Sequence, residues 1–269
     1  MQLAIAIIDA FTNQTFRGNP AATILVDQFP EDAQMQQIAS EINLSETAFV
    51  KPLGQNHFHL RWFTPKQEVP LCGHATLAIA HYLRELSTIA TDVPLVFSTL
   101  SGDLHISFEG SLIVMDFPAV FYKNCSARSQ QVLAEIFCDQ SYEVLGQADD
   151  YIAVALDSEE AIQNFQPQYD RIAQLDGFGF IVTAIADPDH PYDFVSRFFA
   201  PKAGIPEDPV TGSAHCSLTP YWAKRLSKNN LKAKQLSART GELQVSDRGT
   251  RILIKGEAIT FLRGEIVNR

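Results

Sequence analysis

The chain has 269 residues and a formal charge of −10, with no basic run. Nucleic acid and anionic membranes select clustered Lys and Arg, so neither is an expected partner. The length suits two ordinary domains. No stretch approaches the roughly 20 apolar residues that cross a bilayer. The start, MQLAIAIIDAF, lacks a leading positive charge and meets Asp9 early, so it reads as a strand and not as a signal peptide. Cys72, Cys125, Cys138 and Cys216 show neither zinc-type pairing nor framework spacing. They read as free thiols of a cytoplasmic protein.

In chain order, the aliphatic run 3–9 predicts a buried strand, and Phe16-Arg17-Gly18-Asn19-Pro20 breaks it. A second strand is expected over 21–26. A helix follows over 31–42, its acidic Glu31 and Asp32 suiting the positive end of the dipole. A strand is expected at 47–50. The stretch 57–63 alternates, with Phe58, Leu60 and Trp62 on one face and His57, His59 and Arg61 on the other, so it is a strand. A helix over 73–86 and strands at 95–97, 104–108 and 112–117 complete a first half. Residues 118–129 have no clear period and read as a linker. The second half offers a helix near 130–137, strands at 151–156, 178–185 and 194–199, and a helical region 158–175 interrupted at Pro167. A long helix over 213–226 and strands at 243–246, 251–255 and 258–263 close it. Strands outnumber helices without regular strand–helix–strand alternation, which predicts α+β.

The halves are related. Arg61-Trp62-Phe63-Thr64-Pro65-Lys66 aligns with Arg197-Phe198-Phe199-Ala200-Pro201-Lys202, an offset of 197 − 61 = 136. Gly73-His74-Ala75 aligns with Gly212-Ser213-Ala214 at 212 − 73 = 139, and that offset persists at Gly102 and Gly241. On the first offset Pro70 meets Pro206 and Cys72 meets Asp208, with three extra residues inserted after them. The domains are expected at 1–118 and 119–269, the last strand being free to pack back on the first half.

Each repeat runs a strand into a loop and then into a helix opening on glycine. A helix N-terminus presents unpaired N–H groups and partial positive charge, and glycine admits a ligand to the backbone. Gly73 and Gly212 therefore suggest a site for a small carboxylate. The neighbours differ between copies: Cys72 and His74 in one, Asp208 and Ser213 in the other. Each has an ordinary reading as a turn or cap residue. Glu46 precedes the apolar Thr47–Val50. Solvated, it is unremarkable; in an apolar cleft it would be fitted for proton transfer. The pair His57 and His59 lacks an evident third metal ligand, and Gly177-Phe178-Gly179 lacks the spacing of a dinucleotide loop.

Five motifs in this order, Phe16-Arg-Gly-Asn-Pro-Ala-Ala, Asn43-Leu-Ser-Glu-Thr-Ala-Phe, Arg61-Trp-Phe-Thr-Pro, Leu71-Cys-Gly-His-Ala-Thr-Leu-Ala and Glu207-Asp-Pro-Val-Thr-Gly-Ser-Ala, together resemble the PhzF family. The resemblance implies a diaminopimelate-epimerase-like fold: two pseudo-symmetric halves, each a curved, mainly antiparallel sheet around a long helix, with the active site in the cleft between them. It implies a homodimer without metal or cofactor, and an isomerase that shifts a double bond by moving a proton on a small carboxylate-bearing metabolite. Glu46 then matches the general acid/base, and Gly73, His74, Asp208, Gly212 and Ser213 match the substrate site. Two alternatives stay open: a racemase or epimerase using Cys72, although the second repeat lacks the partner thiol, and a non-catalytic binding or interaction protein of the same fold.

Overall fold

The computed structural model describes residues 2–138 and 140–267. The chain forms two compact α+β units, Met1–Asp116 with Lys255–Arg269, and Phe117–Ile254.

In the first unit, β1 (Gln2–Ala10) pairs antiparallel with β2 (Asn19–Leu25). Helix α1 (Asp32–Ile42) then crosses to β3 (Thr47–Gly54), which lies parallel to β2. Strand β4 (His57–Phe63) returns antiparallel to β3, and the short β5 (Glu68–Val69) turns back on its end. Helix α2 (Gly73–Glu85) crosses to β6 (Leu95–Thr99), parallel to β4. Strands β7 (Gly102–Glu109) and β8 (Leu112–Pro118) follow as a meander. The C-terminal strand, Ala258–Val267, pairs antiparallel with β1. Residues 255–267 thus group with the first unit. Helix α2 is buried on every side from His74 to Leu83, and the apolar or small Ala75, Leu77, Ala78, Ile79, Ala80 and Leu83 suit that burial. It packs against β1, β2, β3 and the C-terminal strand.

The second unit repeats this plan after α3 (Ala127–Ile136). Its β9 (Glu143–Ala148) and β10 (Tyr151–Ala155) are antiparallel, as β1 and β2 are. Helices α4 (Glu159–Asn164) and α5 (Tyr169–Ile172) carry the crossover to β11 (Gly179–Ile185), parallel to β10. Strand β12 (Phe194–Ala200) pairs antiparallel with β11 and with β13 (Ile205–Asp208). Helix α6 (His215–Leu226) leads to β14 (Asn230–Gln235), parallel to β12 and followed by β15 (Gly241–Asp247) and β16 (Arg251–Gly256). Phe137, Phe165, Phe180 and Phe199 cluster in its core. Strands β9, β13 and β14 were not expected. β14 reads NLKAKQ, weak in β-formers, yet Leu231, Ala233 and Gln235 alternate inward. Its assignment comes from neighbours, not from local preference.

The ladders also correct the register of the repeat. Arg61 holds Glu68 by two bonds of 2.7 Å, from Nε and Nη2. Arg197 holds Glu207 in the same way, at 2.7 and 3.0 Å. Each guanidinium also lies over a phenylalanine ring, Phe63 or Phe199, at 5.2 or 5.0 Å. The two clamps make Glu68 the counterpart of Glu207, so the three-residue insertion lies in the hairpin turn before it. There Pro201–Ala203 forms a 3₁₀ turn. Pro70 therefore corresponds to Pro209, and Cys72 to Thr211. The expected match of Cys72 with Asp208 does not hold; Val69 occupies that place.

Helix α6 contains Pro220. Proline supplies no N–H, so the carbonyl four residues earlier loses its helical partner. That carbonyl, Cys216, instead accepts the Val120 N–H at 3.1 Å. The Tyr122 hydroxyl meets Ser217 Oγ at 2.9 Å one residue on. The stretch read as a periodless linker is thereby fastened along α6.

Candidate active site

In the first unit, Glu46 stands directly before β3. Its carbonyl accepts the Ala22 N–H at 3.2 Å, which fixes the backbone against β2. Its side chain is only 13% exposed, and Oε2 lies 3.2 Å from His74 Nε2. Glu46 is thus not a solvated surface acid. His74 is the second residue of α2, directly after Gly73. Its other ring nitrogen, Nδ1, lies 3.3 Å from Asn19 Nδ2 and 3.6 Å from Cys72 Sγ. Asn19 is fully buried at the start of β2. The preceding Gly18 has φ +68°, and a Cβ there would meet the Ala10 carbonyl oxygen at 2.2 Å. Only glycine fits that turn.

Burial pushes the Cys72 thiol up, and the Glu46 carboxylate adds to the rise. Burial alone would depress the His74 imidazole, but the Cys72 sulfur and the Glu46 carboxylate outweigh it and hold His74 well above its ordinary value.

The second unit gathers a different group. The Asp208 side chain, at the end of β13, accepts the Thr211 hydroxyl. Gln235 joins both ends of that loop: its Nε2 donates to the Asp208 carbonyl at 2.7 Å, and its Oε1 accepts the Thr211 N–H at 2.9 Å. Gly212 and Ser213 form the turn that opens α6, closed by the His215 N–H on the Gly212 carbonyl. Ser213 Oγ lies 2.9 Å from Tyr151 Oη. His215 is completely buried, its Nδ1 2.9 Å from the Thr211 carbonyl. Burial pushes it down to about 4, so it is neutral and Nδ1–H donates.

The expected residues thus form two sets: Glu46, Gly73 and His74 in one unit, and Asp208, Gly212 and Ser213 in the other. Asn19, Tyr151, Thr211 and Gln235 were not singled out from sequence. Asn19 and Thr211 lie inside quoted motifs, and membership of those motifs was the available signal. His57 and His59 do not form a metal pair with a third ligand. His57 Nε2 bonds Ser98 Oγ at 2.8 Å, and His59 stands edge-on to Phe29 at 5.0 Å. Among the described residues, one group has ligands suited to a metal ion: Glu46, Cys72 and His74.

A family model described as phenazine biosynthesis-like protein, PhzC-PhzF, matches residues 8–264. The chain belongs to the PhzF family. An uncharacterized isomerase of Halalkalibacterium halodurans is 43% identical over 99% of both chains. The crystal structure of a PhzF-family protein of Enterococcus faecalis superimposes with a TM-score of 0.90, at 38% identity, over the whole of both chains. A predicted epimerase from Pseudomonas aeruginosa shares the fold, with a TM-score of 0.75 at 21% identity over 99% of this chain and the whole of that one. This PhzF member is accordingly an isomerase of the diaminopimelate-epimerase-like fold. Among the described residues, no helix is long and apolar enough to cross a membrane.

Proposed function

We propose that this PhzF-family isomerase moves a proton along a small carboxylate-bearing metabolite, shifting a double bond without a cofactor, with Glu46 as the acid/base. The observation that carries this reading is Glu46 Oε2 at 3.2 Å from His74 Nε2, in a setting where both side chains are largely withdrawn from water. One carboxyl that removes and returns a proton is sufficient for such a shift. Gly73, His74, Asp208, Gly212 and Ser213 are the substrate-binding residues of this reading, since a glycine-led helix N-terminus suits a substrate carboxylate. A cytoplasmic homodimer completes the reading. The test replaces Glu46 with Gln and follows solvent deuterium entering a substrate identified by screening small carboxylic acids for thermal stabilisation. Exchange at the parent rate in that variant removes Glu46 from the role.

A racemase or epimerase reading rests on Cys72, whose sulfur touches His74 Nδ1 at 3.6 Å. Thr211 at the corresponding place of the second repeat denies it the second thiol that a symmetric two-base mechanism would use. Full activity in Cys72→Ala excludes this alternative. A purely binding role would give ligand-induced stabilisation with no exchange of carbon-bound protons, which proton NMR reads directly.

A further inference from the structure

We propose that Glu46, Cys72 and His74 form a site for a thiophilic divalent cation, Zn²⁺ being the best match, and that the ion switches the enzyme off reversibly. The binding claim is independent of the catalytic assignment; the inhibition claim rests on it. A carboxylate oxygen, a thiol sulfur and an imidazole nitrogen lie within 4.8 Å of one another. These three donor types are the ligands that zinc takes, and three protein ligands with one open position are the pattern of accessible zinc sites. With zinc–ligand bonds of about 2.0–2.3 Å, a tetrahedral ion holds its donors roughly 3.3–3.8 Å apart. From a present span of up to 4.8 Å, the triangle would have to contract to reach that spacing.

The pair Glu46 Oε2 and His74 Nε2 is buried and faces across 3.2 Å as an ion pair, without an aligned hydrogen bond. Buried polar atoms without directional partners are costly, and a cation would satisfy both. The three residues are held by different elements: Cys72 and His74 flank the start of α2, and Glu46 precedes β3. On binding, the protons on the Cys72 sulfur and on the coordinating His74 nitrogen pass to solvent, and the thiolate and the neutral imidazole take the ion. Glu46 in turn commits an oxygen to the metal and can no longer accept a substrate proton. Metal and turnover therefore exclude each other, and a chelator restores activity.

The test uses Co²⁺ as a spectroscopic stand-in on the full chain. Addition of one equivalent is expected to produce a thiolate-to-cobalt band in the near ultraviolet and tetrahedral bands in the visible, both bleached by Zn²⁺. Cys72→Ser loses the ultraviolet band and weakens Zn²⁺ binding by more than the ~10–100-fold that loss of a mere outer-shell partner costs. His74→Gln keeps the thiol and also weakens binding, which guards against misfolding of the first variant. Cys138→Ser, at an exposed cysteine, changes neither band. The proposal is overturned if the parent gives no thiolate band, or if the band survives Cys72→Ser and disappears with Cys138→Ser. None of these readings needs a substrate, so their failure leaves the deuterium-exchange result on Glu46 to be judged separately.

Discussion

The two units share a strand plan, an arginine–glutamate clamp and a glycine-led helix, yet only one carries an acid before its third strand. Thr47 pairs with Phe63 and Phe180 pairs with Phe199, so the residue matching Glu46 is Gly179. A Cβ at Gly179 would meet Phe198 Cζ at 2.4 Å and Tyr151 Cδ1 at 3.0 Å. Aromatic rings fill the volume that a side chain would need, and the Tyr151 hydroxyl meets Ser213, the counterpart of His74. A carboxylate beside an imidazole in one unit becomes a phenol beside a hydroxyl in the other. Duplication preserved the scaffold, while the side chains at these positions put a carboxylate–imidazole pair in one unit and a phenol–hydroxyl pair in the other.

That separation can be broken experimentally. The largest effect belongs to Glu46→Gln, which should lower the exchange rate by about 10²–10⁴ with little change in melting temperature, measured by deuterium incorporation and calorimetry. Next comes His215, whose counterpart in the first unit is Thr76. Its folded pKa of about 4 lies below the unfolded value, so between pH 4 and about 6.5 the unfolded chain binds more protons and stability rises with pH. The contribution is complete above about pH 6.5 and lost as pH falls to 4, a swing of about 3 kcal/mol. His215→Gln should flatten that part of the urea-denaturation profile. Gly179→Ala should destabilise by about 1–3 kcal/mol, because the packed rings of Phe198 and Tyr151 must shift to admit one methyl. Smallest is Tyr151→Phe, which removes one hydrogen bond, costs about 1 kcal/mol in the same assay, and frees the Ser213 hydroxyl. If Gly179→Ala is neutral, the packing account of the missing acid is wrong.

The duplication was legible because motif residues recur in order, and the strands of the first unit were legible because alternation there is strong, as in 57–63. Register was harder. The +136 and +139 offsets meet somewhere between Lys66 and Gly73, and letters alone placed the gap after Pro70. The Arg61–Glu68 and Arg197–Glu207 clamps place it before, a fact of side-chain geometry with no one-dimensional signature. Glu46 and His74 could be named from motifs, but their mutual approach joins residues from two elements 28 positions apart. Asn19 and Tyr151 escaped notice because a polar residue at a strand start is unremarkable until its burial is known.

Pro220 gives α6 a dependence that an uninterrupted helix would lack. Its missing N–H leaves the Cys216 oxygen open to Val120, so a residue usually counted as a helix breaker acts as a socket for a distant segment. Restoring an ordinary residue there would put a local amide in competition with that segment for one acceptor. A change that improves the helix in isolation would then loosen the strap from Ala119 to Tyr122, and a gain in intrinsic propensity would surface as easier proteolysis of that strap.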